Sequence, residues 1–362
     1  MTTIGVIGAG QLGQMLGIAG QKMGLQFIFL DPSARPPAAT VGPVLRYAFD
    51  NEEGLAELAA RSDIVTYEFE NVAVSAVEKI AAAGTVYPPV KALRHAQDRL
   101  VEKTLFTTLG IPVAGFRAID TEEDLHSACT ELGLPLVLKT RRFGYDGKGQ
   151  SIVRDEAVIE SAFAELGGSD LIAEQWIAFD REVSAIAARN VSGDVAFYPL
   201  TENQHEQGVL SISRAPAAAG KLTKTARRYL TSLLSHLDYV GVLALELFVI
   251  GDRLLANEIA PRVHNSGHWT IEGAATSQFE NHLRAILDMP LGNAKALGHS
   301  GMINLLGRMP GKAAMSQLGE CYLHDYGKDP RPGRKLGHVT VVTDTPAARD
   351  EQLERLGKLL II

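Results

Sequence analysis

Cysteine is nearly absent: Cys129 and Cys321 are the only two in 362 residues, far apart and outside any metal-ligand spacing. That excludes a disulfide framework and a thiolate metal site, and both residues read as packing in a reducing compartment. No apolar run reaches the roughly 20 residues that span a bilayer. The N-terminus runs straight into a strand without the basic segment, apolar stretch and cleavage site of a leader, so a cytoplasmic location without membrane contact is expected. A basic surplus is missing too. The formal net charge of -7 argues against a nucleic-acid partner, since phosphate-backbone binding shows as an excess of Lys and Arg. The histidines have no metal-ligand spacing, and no Ser/His/Asp or Cys/His set stands out. What remains is the balance of an ordinary soluble globular protein, 46% hydrophobic and 21% charged, at a length where one core stops growing and two or three subdomains are expected.

Ile4 to Ile7, a glycine loop, a helix and Phe27 to Leu30 ending at Asp31 read as the opening of a doubly wound parallel sheet. Ile64 to Tyr67 is a third strand, and Val86-Tyr87 is expected as a fourth. A helix from Asp98 to Leu109 stops at Gly110-Ile111-Pro112. Leu136 to Lys139 and Leu171 to Ile177 are strands on either side of a glycine-rich loop, Arg141 to Gln150. Arg181 to Ala188 and Val195 to Pro199 read as an antiparallel pair, Thr201 to His205 as a polar loop, and Thr223 to Leu237 as a helix. Pro290 to Gly298 looks like a linker to a small tail with one amphipathic helix, Ala347 to Leu359.

The chemistry concentrates in a hairpin. Glu246 stands alone in the apolar run Val242 to Ile250, where a carboxylate sits badly unless it has a cation to bind. The next strand carries Asn257 and Glu258, followed by Arg262, His264 and Asn265. A two-residue turn, Gly251-Asp252, places Glu246 opposite Asn257. A three-residue turn including Arg253 places it opposite Glu258, and this is the register expected, because a magnesium ion needs both carboxylates on one face. Gly8-Ala9-Gly10-Gln11-Leu12-Gly13 opens a helix and suits the phosphate of a dinucleotide, the phosphate of a nucleotide-like substrate, or nothing beyond a close helix-to-strand contact. Gly144 to Gln150 suits a flap over a triphosphate, with Lys148 and, from the preceding strand, Lys139 meeting its oxygens. Glu174-Gln175-Trp176-Ile177 is placed to grip an adenine, with Glu182 on the ribose. For His205 a surface position and a ligand contact are equally open.

In this order the residues resemble the ATP-grasp ligases, from about Asp98 to Ile286. Within that superfamily Gly10-Gln11-Leu12-Gly13-Gln14, Tyr67-Glu68-Phe69-Glu70-Asn71, Gly144 to Gln150, Ala260 to His268 and Arg331-Pro332-Gly333-Arg334-Lys335-Leu336-Gly337-His338 are similar, end to end, to the N5-carboxyaminoimidazole ribonucleotide synthetases. The resemblance implies a Rossmann-like domain over 1–97, an ATP-grasp domain over 98–290 with a flap at about 110–180, and a small C-terminal domain over 291–362, a mixed α/β and α+β architecture. It implies a ligase of purine biosynthesis in which ATP phosphorylates bicarbonate, and the resulting carboxyphosphate or its carbon dioxide carboxylates the amine of 5-aminoimidazole ribonucleotide. ATP would be held by Arg99, Lys139, Gly144, Tyr145, Asp146, Gly147, Lys148, Gly149, Gln150, Glu174, Gln175, Trp176, Ile177, Glu182, His205, Asn257 and Glu258. Magnesium would sit on Glu246 and Glu258. Arg262, His264, Asn265 and Tyr145 would serve the chemistry; Tyr145 would also face the aminoimidazole nucleotide, with Glu70 and Arg181. Gln11, Leu12, Lys328 and Arg334 would take its phosphate, with Arg331 and Lys335 as substitutes. A homodimer is expected. The alternatives are a formate-using glycinamide ribonucleotide ligase, whose Pro-Arg-Pro-His-Asp-Thr-Gly is not matched at Asn265 and Ser266, and, from another class, a Rossmann dehydrogenase.

Overall fold

Short runs of Ile, Val and Phe open the chain, and each becomes a buried parallel strand, as a sheet covered on both faces requires. In the computed structural model, which describes residues 1–144, 147–317 and 319–360, β1 (Thr3–Ile7), β2 (Gln26–Leu30), β3 (Val44–Leu45) and β4 (Ile64–Tyr67) form a parallel sheet in the order β3-β2-β1-β4. The strand expected at Val86-Tyr87 is reduced to a single bridge from Val86 to Val65. Pro88 and Pro89 follow at once, and proline has no N–H to give to a ladder. Val44-Leu45 extends the sheet on its opposite edge instead.

Asp98 caps the helix Arg99–Thr108 by accepting from the N–H groups of Leu100 and Val101. After it, β5 (Phe116–Ile119), β6 (Leu136–Thr140), β7 (Gln150–Val153) and β8 (Leu171–Gln175) pair antiparallel in the order β5-β8-β6-β7. Strand alternation gives this sheet two characters. Leu136, Leu138, Leu171 and Ala173 pack with the helices Glu122–Leu132 and Ile159–Glu165, whereas Val137, Lys139 and Glu174 face a cleft.

The far wall of the cleft is a nine-stranded sheet: β9 (Arg181–Arg189), β10 (Val195–Phe197), β11 (Thr201–Glu206), β12 (Val209–Ala215), β13 (Gly241–Ile250), β14 (Arg253–Ala260), β15 (His299–Leu306), β16 (Tyr322–Asp325) and β17 (Lys335–Thr343). The order is β14-β13-β9-β11-β12-β15-β17-β16, with β10 on β9. The segment read as a polar loop, Thr201 to His205, is therefore the interior strand β11. Its polar side chains are satisfied inside the layer, for Asn203 donates to Ser184 Oγ at 2.6 Å and accepts from Ser213 Oγ at 2.9 Å, and a fully bonded polar group is no barrier to burial. The tail is not detached: β15 pairs with β12 and prolongs the same sheet. The parts also share a core, in which Ile4, Leu16 and Phe27 of the first sheet and its helix meet Ile186, Val242, Phe279 and Leu283. Among the described residues no helix is long and apolar enough to cross a membrane.

Candidate active site

The hairpin β13–β14 closes in two residues, with Ile250 opposite Arg253 and Val249 opposite Leu254. The three-residue turn at Gly251 to Arg253 does not form. Gly251 takes a left-handed φ of 55° and donates its N–H to Asp180 at 2.7 Å, which fixes the tighter turn. The carboxylates meet by another route. The ladder steps from Leu247–Ala256 to Leu245–Ile259, so Asn257 and Glu258 together oppose Glu246 in a β-bulge, which re-aims a side chain without lengthening the turn. Glu246, Asn257 and Glu258 all line the cleft, a space of about 480 Å³. Burial, and then the charge of Glu258, push the Glu246 carboxyl above its ordinary range. His264 Nε2 lies 3.3 Å from Glu246 Oε1, and its Nδ1 is 2.8 Å from Ser266 Oγ. Burial, reinforced by Arg262, holds the His264 imidazole well below its usual range. Both amide atoms of Asn265 are buried without a hydrogen-bond partner, an expensive state unless something polar fills the cleft beside them. Among the described residues no three His, Cys, Asp or Glu side chains close around one metal position.

Toward β8, Glu174 lies between Lys103 at 3.0 Å and Lys139 at 3.1 Å. Burial raises its pKa, but the two ammonium groups outweigh burial and bring it to about 2. Burial lowers the pKa of Lys139. The strand ends at Gln175, and Trp176 and Ile177 continue along the rim with Phe179, whose ring stacks on Phe248 at 4.6 Å. Trp176 is 43% exposed and not the core residue its type suggests. Glu182 pairs with His205, which settles His205 on the cleft wall. Arg99 donates to the carbonyls of Thr140 and Gly144 at 2.9 and 3.1 Å, behind the glycine loop. Gly144, Gly147, Lys148 and Gln150 line the cleft, and Gly147 and Gly149 have φ of 74° and 71°. Tyr145 and Asp146 lie outside the described residues.

At the other end Arg262 makes a two-pronged pair with Glu70, Nη2 to Oε1 being 2.8 Å. Gln11 and Leu12 line the cleft, Lys328 donates to Gln11 Oε1, and Arg334 donates to the Asp329 carbonyl at 3.0 Å. The glycine loop itself is filled from within. Glu68 accepts from the N–H groups of Gly10 and, at 2.6 Å, Gly13, and Asp31 accepts from Ala9 at 3.0 Å. A Cβ at Gly10 would stand 2.6 Å from Glu68 Oε1. These amides are occupied by carboxylates and are not offered to a pyrophosphate, which removes the physical basis of the dehydrogenase reading.

Arg181 is the misplaced residue. It has the strand parity of Val183, Ala185 and Ala187, which pack against the helix Leu222–His236, so it faces away from Glu182. There it pairs with Glu202 at 2.7 Å and donates to the Ala218 carbonyl, and it is not among the described residues lining the cleft. Sequence reasoning passed over Glu102, Phe179 and Phe248 and kept Lys335 only as a substitute; all four line the cleft. Phe248 was within reach, being two residues from Glu246 and so on the same strand face.

Three family models match the chain: a ribonucleotide synthetase preATP-grasp domain over 1–97, an ATP-grasp domain over 104–279, and a phosphoribosylaminoimidazole carboxylase C-terminal domain over 300–352. The N5-carboxyaminoimidazole ribonucleotide synthase of Pseudomonas aeruginosa is 48% identical over 338 residues, covering 93% of this chain and 94% of its own. That of Brucella melitensis is 49% identical over 346 residues, covering 94% and 96%. Among solved structures, N5-carboxyaminoimidazole ribonucleotide synthetase from Thermus thermophilus superposes with a TM-score of 0.95 at 50% identity, covering 98% of each chain. The Aspergillus clavatus enzyme, solved with ADP and 5-aminoimidazole ribonucleotide, gives 0.92 at 31% identity, covering 99% of this chain and 98% of that one.

Proposed function

The chain belongs to the N5-carboxyaminoimidazole ribonucleotide synthase family of ATP-grasp ligases, which carboxylate 5-aminoimidazole ribonucleotide at the expense of ATP in purine biosynthesis, and from that premise we propose how its residues divide the reaction. The carrying observation is the bulged hairpin, which sets Glu246 and Glu258 on one wall with Arg262, His264 and Asn265 just beyond.

Gln175 to Ile177 offer backbone groups to the adenine, with the stacked rings of Phe179 and Phe248 on the cleft wall. Glu182, steadied by His205, serves the ribose. Lys139, Lys148 and the amides of the glycine loop meet the phosphates, with Arg99 holding the base of that loop. Two crowded carboxylates, one with a raised proton affinity, suit a divalent cation. Glu246 and Glu258, with Asn257 beside them, would hold magnesium, which neutralises phosphate charge during in-line transfer.

Bicarbonate is the proposed phosphoryl acceptor. Its oxygen takes the γ-phosphoryl group and ADP leaves. The guanidinium of Arg262 meets the charge of the resulting carboxyphosphate, and the unpartnered amide of Asn265, with His264, orients it. The amine of the ribonucleotide then attacks the carbonyl carbon, phosphate departs, and one amine proton is lost. Glu70, locked to Arg262, joins the two substrate regions. Gln11, the N–H of Leu12, Lys328 and Arg334 are assigned to the ribonucleotide phosphate. Closure of the loop 144–150 keeps water from the acyl phosphate. The reading also carries a cytoplasmic location and a homodimer.

Phosphate release from ATP, followed with each partner omitted in turn, tests this assignment. Turnover should require both bicarbonate and 5-aminoimidazole ribonucleotide. Turnover with formate and glycinamide ribonucleotide, or phosphate release indifferent to bicarbonate, would contradict it.

A further inference from the structure

Strand β14 lies at the edge of the nine-stranded sheet and has a strand neighbour, β13, on one side only. Its outward N–H groups are met by other elements. Ala256 donates to the Pro112 carbonyl at 2.7 Å, and Ile259 donates to the Glu102 carboxylate at 2.7 Å. These two ties are three residues apart. In an unbroken strand, N–H groups on one edge recur at even spacing, so an odd spacing demands one extra residue between them. The extra residue falls in the pair Asn257 and Glu258, opposite Glu246.

Glu102 is only 2% exposed on the wall of the cleft, where burial, and then the charge of Glu258, hold its carboxyl well above the ordinary range. A carboxyl there is costly without a partner. Its helix is fastened at the positions on either side of this group, by Lys103 to Glu174 at 3.0 Å and by Arg99 to the carbonyls of Thr140 and Gly144. The carboxyl oxygen is thus held at a fixed place beside the edge strand.

We propose that Glu102 is a positioning residue: by accepting the Ile259 N–H it fixes the bulge that turns Glu258 toward Glu246. It acts through hydrogen-bond reach rather than charge. The proposal rests on the assignment of Glu258 to magnesium. A strand freed from this tie can slip one residue and lose the shared face.

The test uses the full chain and three variants, reading the magnesium concentration for half-maximal ADP binding by calorimetry and the hydrogen exchange of the Ile259 amide. Glu102→Asp withdraws the acceptor by one methylene and should raise the magnesium requirement about tenfold, the usual effect of losing a group that orients a metal ligand, and speed exchange at Ile259. Binding of 5-aminoimidazole ribonucleotide should stay within about twofold. Glu102→Gln keeps reach and acceptor and should keep the slow exchange at Ile259 and show a much smaller rise in magnesium requirement than Glu102→Asp. Unchanged magnesium dependence in Glu102→Asp, equal loss in Glu102→Gln, or equal weakening of ribonucleotide binding would overturn the proposal. Glu258→Gln separates the two readings: if it leaves magnesium dependence intact, the metal assignment itself fails. Exchange in the unmodified protein decides even if Glu102→Asp does not fold, since an Ile259 amide exchanging like a free edge amide would also overturn the tie.

Discussion

Glu174, between two lysines, shows how single residues in this cleft hold charges that burial alone would extinguish. Its pKa of about 2 lies below the ordinary 4.5. A depressed carboxyl contributes stability that is present above about 4.5 and lost as pH falls toward 2. The thermal midpoint of the wild type should therefore fall across that window more steeply than that of Glu174→Gln. At neutral pH the variant should be less stable by roughly 3–5 kcal/mol, because Lys103 is left buried without its counter-charge. Parallel curves from pH 6 to pH 2 would count against the triad. At the proposed magnesium site Glu258→Gln removes one charge and keeps the shape, so turnover should be abolished, and a variant retaining full activity would remove the residue from the chemistry. Glu246 was legible as an acid in an apolar strand. The partnership of Glu70 with Arg262 was not, since it spans 192 positions of sequence and depends on how two sheets meet. Arg181 was misassigned because likeness to a family gives the order of residues along a strand, while the side each one faces follows from parity with its neighbours.

At the scale of elements, apolar periodicity placed most strands and helices, and the errors have definite causes. Val86-Tyr87 had strand composition, but the prolines after it allow one bridge. Thr201 to His205 had loop composition, yet Ser184, Asn203 and Ser213 bond to one another inside the layer. The hairpin turn was judged from the need to align two acids, and the chain meets that need with a bulge whose position is set by Pro112 and Glu102, far from the hairpin in sequence. The segment from Lys328 to Lys335 is assigned to the ribonucleotide phosphate with the helix that starts at Gln11. Arg334→Ala should accordingly raise the KM for the ribonucleotide and leave that for ATP nearly unchanged. Loss of one charge-assisted contact is worth roughly 1.5–3 kcal/mol, or about ten- to a hundredfold. Equal rises in both KM values would mean that the segment supports the fold.

Across the whole molecule, the cleft exists because three stretches of chain share walls: the helix and turn at the strand ends of the first sheet contribute Gln11 and Glu70, the sheet β5-β8-β6-β7 Lys139 and Glu174, and the long sheet Glu246, Glu258 and Lys335. In the proposed reaction two substrates lie end to end with Arg262, His264 and Asn265 between them, and these three residues handle an acyl phosphate passed from one substrate to the other. The most direct test is the ratio of phosphate released to ribonucleotide carboxylated, in wild type, Arg262→Ala and His264→Ala. Wild type should release one phosphate per carboxylation. Arg262→Ala should lose kcat far more than ATP affinity, because the charge it meets develops only as bicarbonate attacks. His264→Ala should still release phosphate when bicarbonate is present while carboxylated product falls, so the ratio rises above one. An unchanged kcat and an unchanged ratio in both variants would contradict the account and leave the segment from Arg262 to Asn265 as a polar loop packed at the end of the sheet.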